Sequence, residues 1–334
     1  MRESGWEAML TELRALGGTA DNICLRDGPF GRGLFPIDPA RPVTIHIPEK
    51  LLIGVDEVRF ENGAFRVAPD AKIGTRERAF LEAYQADFSW GGGGRAETAR
   101  IFEQAQALPD ELREQLQFKY RCGDWFQSPT DALVEEKFVN ARCIHYRDRR
   151  VLMPVLELTN HGDGPDFLPR NGIGIQGVFP GEILTRYASY DPHGMFALFG
   201  FATEEPLAFG IALGGRVGQT SVQIGHDMSS FSSSVRHPSP RYWVEGQTVR
   251  LQFLMIGNKE LPWLCKSMFY KIMRDAGLSG FEEAFETMRH ANRLHFLSLL
   301  AAVEAVEGPM ALSLRRMARF QLEAMSYCFG VSTT

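Results

Sequence analysis

Four short stretches hold the residues able to do chemistry. Asp27-Gly-Pro-Phe-Gly-Arg-Gly-Leu-Phe35 sets Gly31 and Gly33 on either side of Arg32. Glycines in such a turn supply positive φ, and they also let backbone N–H and C=O groups come close to a ligand. No helix and no further glycine follow, so the dinucleotide-binding fingerprint is absent. Arg142 reads equally as a surface arginine near Arg147, Arg149 and Arg150 or as a bidentate partner for a carboxylate. Asn160-His161 closes the run Val151-Leu-Met-Pro-Val-Leu-Glu-Leu-Thr, either as a satisfied turn pair or as ligand-facing groups. Tyr187 follows Gly181-Glu-Ile-Leu-Thr-Arg, with Tyr190 as a competing hydroxyl. Phe196, Phe199 and Phe201 are rings that wall a channel or fill a core, the second being the commoner fate of phenylalanine.

Strand-rich and helix-rich blocks must position these groups. Residues 5 to 16 have helical spacing and stop at Gly17-Gly18. Short strands are expected at 23–26, after the glycine turn, at 43–47 and on both sides of Asn62-Gly63, a hairpin signal. From Arg76 to Val139 the spacing turns helical, interrupted at Gly91–Gly94 and restarted at Pro109 and at Ser128-Pro-Thr-Asp. The run from Val151 reads as an apolar strand ending in Asn-His, 172–179 as a second strand, and Phe199-Gly-Phe201 as an apolar turn. Strand-like runs follow at 207–213, 221–224 and 242–256, with a polar serine-rich loop from Met228. Helices are expected at 262–276, 280–304 and 309–327. The organisation this suggests is a first domain over 1–205, interrupted by a helical insertion at about 76–140, and a C-terminal lobe over 206–334.

Composition narrows the class. The chain has 334 residues, 44% hydrophobic and 23% charged, as for an ordinary globular protein of one large or two modest domains. A net charge of -5 gives no reason to expect a nucleic-acid partner. No run reaches the ~20 apolar residues of a membrane span. The first twenty residues have no apolar stretch of the secretory kind. Cysteines stand at 24, 122, 143, 265 and 328 with no Cys-x-x-Cys pair. Reduced thiols, no structural metal and a cytoplasmic location are therefore expected.

Taken together, Gly31-Arg-Gly-Leu-Phe35, Arg142, Pro154-Val-Leu-Glu-Leu-Thr-Asn-His161, Gly181-Glu182, Tyr187 and Phe199-Gly-Phe201 resemble the core of the SET-domain lysine methyltransferases, in the Rubisco large-subunit and SETD-like branch. The resemblance spans roughly residues 20 to 205. It implies an α+β fold of small β-sheets around a pseudoknot, with a helical insertion and a C-terminal mainly helical lobe. It also implies that the turn Gly31, Arg32, Gly33 grips S-adenosyl-L-methionine, that Arg142 meets its carboxylate, and that Asn160 and His161 bind it, with Phe199 alongside. Tyr187 falls on the catalytic tyrosine, and Tyr190, Phe196 and Phe201 on the substrate channel. The family's Asp before Asn-His appears as Glu157, its following Ser as Gly162, and its later Asn is missing from Ala188-Ser-Tyr-Asp-Pro-His193.

What the resemblance implies for function is methylation of an amine, most simply a protein lysine. Methyl transfer needs in-line geometry and a neutral amine. Lysine has a solution pKa of ~10.4, and an apolar channel disfavours its ammonium by desolvation. Two rival readings stand beside it. One is methylation of a small-molecule amine in a biosynthetic route. The other is a binding or scaffold protein that has kept the fold without the chemistry.

Overall fold

The computed structural model describes residues 3–119, 123–187, 190–211, 214–225 and 237–329. The serine-rich loop expected from Met228, and Cys122, lie outside these. In chain order the elements begin α1 (Glu3–Ala15), β1 (Thr19–Asp21), β2 (Ile23–Gly28), β3 (Gly31–Pro36), β4 (Val43–Pro48), β5 (Ile53–Gly54), β6 (Val58–Glu61) and β7 (Ala64–Val67). Then come α2 (Thr75–Phe88), α3 (Arg95–Gln106), α4 (Asp110–Lys119), α5 (Asp131–Arg142), β8 (Cys143–Tyr146) and β9 (Arg149–Leu152). They continue with β10 (Asn160–His161), β11 (Leu168–Pro169), β12 (Gly172–Gly177), β13 (Leu184–Thr185), α6 (Pro192–Phe199), β14 (Leu207–Phe209), β15 (Gly214–Val217) and β16 (Thr220–Ile224). The last are β17 (Tyr242–Glu245), β18 (Thr248–Leu251), β19 (Met255–Asn258), α7 (Leu264–Asp275), α8 (Glu282–Val303) and α9 (Pro309–Ser326). The chain is thus an α+β protein of small sheets that ends in helices.

It divides into two compact units, residues 1–100 with 129–188 and residues 101–128 with 189–334. The expected boundary at 205 therefore lies inside the second unit, and the helical block at 76–140 is shared out: α2 and α5 belong to the first unit, α4 to the second.

In the first unit, the order β1-β4-β12-β11 forms the largest sheet, and Ile45 and Ile47 of β4 face Ile175 and Ile173 of β12. All four isoleucines are buried. The alternating Val43-Thr-Ile-His-Ile pattern is what a strand with one buried face requires. Asn62 (φ 52) and Gly63 (φ 74) make the tight turn between β6 and β7, a pair of positive φ values that Asn-Gly adopts readily. Behind the sheets, Trp90 packs edge-on to Phe138 and tilted to Phe60, tying α5 and β6 to the glycine turn after α2.

The run Val151–His161 is not one strand. β9 stops at Leu152, because Pro154 has no N–H to donate and Val155 takes φ 67, ψ -56. The Leu156 N–H donates to the Pro154 carbonyl at 2.8 Å, closing a three-residue turn. A β-branched residue in that region is strained, at a cost of about 1–3 kcal/mol. A 3-10 turn over Leu156–Leu158 then delivers Asn160 and His161 into β10.

The second unit holds two sheets, β14-β19 and β15-β16-β18-β17, with α6 to α9. Phe209, Phe253, Phe269, Phe285 and Phe296 are fully buried at its core. The expected Phe199-Gly-Phe201 turn is the C-terminal cap of an unexpected helix, α6. Asp191 caps the start with its side chain, Pro192 occupies the first turn, and Gly200 ends it at φ 75. The helix signal lay in Asp-Pro before the apolar run and Gly after it.

Candidate functional site

A two-residue parallel pairing builds the site. Asn160 lies opposite Leu184 and His161 opposite Thr185. On its other side, the Ile183 N–H donates to the Leu34 carbonyl of β3 at 2.8 Å. Three segments distant in sequence therefore meet: the glycine turn with β3, the Asn-His pair, and the stretch from Glu182 to Tyr187. The chain passes so closely here that Gly162 and Gly164 run against Leu184. A Cβ on Gly162 would sit 2.6 Å from Leu184 Cδ1, and one on Gly164 would strike the Leu184 backbone. Glycine, rather than serine, after Asn-His is what this passage needs.

The two glycines of the turn serve different ends. Gly31 has φ 95 with open space around it, so it is glycine for its backbone conformation. Gly33 has an ordinary φ but no room: a Cβ would lie 2.7 Å from Asn160 Nδ2 and against the Glu182 carboxylate. Gly28 is also beside that carboxylate, its Cβ position 3.0 Å from Glu182 Oε2. Asn160 Nδ2 donates to Glu182 Oε1 at 2.5 Å and to the Arg32 carbonyl at 3.4 Å. Glu182 Oε2 is buried and makes no hydrogen bond.

Arg32 contributes its carbonyl, while its guanidinium turns away. Nη2 donates to the Phe88 carbonyl at 2.7 Å, at the C-terminal end of α2, where a cation complements the helix dipole. Arg142, the last residue of α5, lies over the Phe138 ring at 4.2 Å and 3.8 Å from the Glu97 carboxylate. Its Nε is buried without a partner. Its charge acts on Tyr187, Glu157 and Tyr84.

Tyr187 stands just past β13. Its hydroxyl donates to the Thr159 carbonyl at 2.8 Å, and its N–H donates to His161 Nδ1 at 3.2 Å. The two rings pack edge to face at 5.2 Å. In the neutral imidazole this acceptor role puts the ring proton on Nε2. Burial pushes the Tyr187 phenol up to about 12, with Glu182 adding to the rise and Arg142 opposing it. The hydroxyl is therefore a neutral donor at any physiological pH.

A second group of polar atoms lies behind Asn160. Gln85 Nε2 donates to Glu157 Oε1 at 2.9 Å. The Tyr84 hydroxyl and the Ser89 hydroxyl are buried beside the same carboxylate and act on it as hydrogen-bond donors. Burial raises the Glu157 carboxyl, against the pull of Ser89, Arg142, Gln85 and Tyr84.

The first unit thus brings together Gly31, the Arg32 carbonyl, Gly33, Asn160, His161 and Tyr187. Tyr190, Phe196, Phe199 and Phe201 belong to the second unit, where the Phe199 ring lies 6.2 Å from Tyr190 and 5.7 Å from Phe201. Phe196 is wholly buried on α6, a core position. Glu182 and Thr159 are functional candidates that the sequence reading did not single out. The signal for Glu182 was an acid directly after Gly181 in the segment leading to Tyr187. No group of metal-ligating side chains occurs among the described residues, and no helix there is long and apolar enough to cross a membrane. Among the described residues, Cys143, Cys265 and Cys328 are in no disulfide.

No family model matches the chain, and no curated protein does. Solved structures do align over most of it. Rubisco LSMT bound to AdoMet superposes with a TM-score of 0.45 at 12% identity, covering 96% of this chain and 89% of that one. The SET domain of LSMT bound to lysine and AdoHcy gives 0.42 at 10% identity, with the same coverage. Likeness at that level carries no weight for the site, which rests on its own residues.

Proposed function

We propose that the chain has a SET fold and is an S-adenosylmethionine-dependent N-methyltransferase, acting most simply on a protein lysine. The observation that carries this is the meeting of the glycine turn, Asn160-His161 and Tyr187 at one backbone crossing, from positions about 130 and 150 residues apart along the chain. The residues suit the cofactor. With no Cβ at Gly33, the Asn160 carboxamide and the Glu182 carboxylate lie directly against the turn, beside the Arg32 carbonyl. An orphaned carboxylate oxygen faces the same turn. Arg142 is the cation for the cofactor's carboxylate.

When bound, S-adenosylmethionine supplies a methyl group on a sulfonium that is its own leaving group. The protein's part is to orient and to desolvate. The Tyr187 hydroxyl is held in place by its donation to the Thr159 carbonyl, and it is the group assigned to the reacting amine. The raised phenol keeps that oxygen neutral. A neutral acceptor can hold an amine or the polarised methyl without stabilising an ammonium as an anion would. The acceptor amine must be unprotonated to take the methyl group, its ammonium proton having been given up to water beforehand.

The test is transfer of labelled methyl from S-adenosylmethionine in cell lysate, with protein and small-molecule fractions counted separately. Label in a protein band, released by hydrolysis as methyl-lysine, is the expected result. Label confined to the small-molecule fraction would favour the small-amine reading. Binding of cofactor with no transfer to either fraction would leave the scaffold reading.

A further inference from the structure

We infer that Glu182 is the recognition group for the α-ammonium of the cofactor's amino-acid portion, and that it orients Asn160 for the same purpose. This rests on the reading under Proposed function and adds a residue and a chemical specificity to it. Asn160 can present either edge of its carboxamide to the glycine turn. With Nδ2 held at 2.5 Å on Glu182 Oε1, the donor edge is committed. What remains at the turn is acceptor-only: Glu182 Oε2, buried and without a partner, and the Arg32 carbonyl, whose contact with Nδ2 is a long 3.4 Å.

A buried carboxylate oxygen without a donor is costly, and a cationic donor is its most favourable partner. Among groups a ligand could bring, an ammonium offers both the charge and several N–H bonds in directions that suit two acceptors at once. Glycine at both 28 and 33 keeps the carboxylate from being covered by a neighbouring side chain. Arg142 at the end of α5 is the complementary cation, so the first unit carries the two charges that a zwitterionic amino acid requires.

The experiment uses the full chain and titration calorimetry with two ligands, S-adenosylhomocysteine and its analogue lacking the α-amino group. A charged hydrogen bond of this kind corresponds to a factor of roughly ten to a hundred in affinity. The wild-type protein should prefer S-adenosylhomocysteine over the deaminated analogue by at least about tenfold. Glu182→Gln keeps the size and an acceptor for Asn160 but loses the charge, and should shrink that preference to about threefold or less. Glu182→Asp should restore part of it. Equal affinity of the wild type for the two ligands, or an undiminished preference in Glu182→Gln, overturns the inference while the cofactor site stands. Failure of the wild type to bind either ligand overturns the reading it rests on and this inference with it. If Glu182→Gln does not fold, as judged by thermal unfolding, the two-ligand comparison is made on Glu182→Ala, where an undiminished preference overturns the inference.

Discussion

Among the described residues, two buried polar clusters are built in opposite ways. In the second unit, Asp191 is closed. Its Oδ1 accepts the Gly194 N–H at 2.7 Å, and its Oδ2 accepts the Phe209 N–H at 2.9 Å and Gln321 Nε2 at 2.7 Å. Gln321 donates also to the Phe209 carbonyl at 3.1 Å and accepts from the His193 N–H at 3.4 Å. Every oxygen of the carboxylate is used, and what it joins is α6, β14 and α9. In the first unit, Glu182 uses one oxygen on Asn160 and leaves the other bare, and Arg142 Nε is buried without a bond. Buried polar groups are normally satisfied, and satisfied networks fix structure. A cluster that is left open belongs where a ligand completes it. The strained turn at Val155, directly upstream of Asn160, points the same way.

That contrast can be broken most sharply at Tyr187. Tyr187→Phe removes the hydroxyl that is fixed on Thr159 and should lower methyl transfer by a factor of ~10²–10³ while cofactor affinity stays nearly constant. Tyr190→Phe, in the second unit, is the control and should be mild. Equal losses at both positions, measured as kcat/KM, would show that the wrong tyrosine has been assigned.

The next effect is on stability and should separate the two clusters. Asp191→Ala strips the cap of α6 and leaves the Phe209 N–H and one end of Gln321 unpaired, a cost of about 3 kcal/mol. Glu182→Ala removes a group that is only half used, and should cost under about 1 kcal/mol in stability while weakening cofactor binding. Urea unfolding of the two variants side by side measures this. Equal destabilisation would mean that Glu182 is as structural as Asp191.

The smallest effect is a pH dependence. The Tyr187 value is raised to about 12 in the folded chain, chiefly by burial, against an unfolded value of ~10. The neutral phenol is the favoured form in the fold. Its contribution to stability is therefore complete below pH ~10 and is lost as pH rises through the folded value. The urea midpoint of the wild type should fall more steeply than that of Tyr187→Phe across that alkaline window. Parallel curves would place Tyr187 in a more open setting.

Local chemistry was readable from the residues alone. Asn62-Gly63 announced its hairpin, Gly17 and Gly277 their helix ends, at φ 85 and 75, and the isoleucines of β4 their buried face. The glycine turn, Asn160-His161 and Tyr187 were visible as residue types worth joining. Their junction was not readable, because β10 and β13 pair over only two residues and no periodicity marks so short a contact. Gly33 looked like any turn glycine, though its reason is the space taken by Glu182 and Asn160 rather than its own φ. Pro154 and Val155 split what composition presented as a single strand. Asp191-Pro192 and Gly200 were helix signals outweighed by the apolar Phe-Gly-Phe between and after them. Glu182 was seen only as a neighbour of Gly181, since nothing in a sequence says which oxygen of a carboxylate will find no partner.

The most direct measurement is cofactor binding to the wild type and to Gly33→Ala. Gly33 needs no unusual φ, so alanine should fold. Its methyl group would push the Asn160 amide and the Glu182 carboxylate, the groups proposed to meet the cofactor, out of place. Titration calorimetry with S-adenosylmethionine should give saturable one-to-one binding for the wild type. It should give none for Gly33→Ala at the same concentrations, with the two proteins unfolding at similar temperatures. Undiminished binding by Gly33→Ala, or no binding by the folded wild type, would contradict the placement of a cofactor site at this crossing.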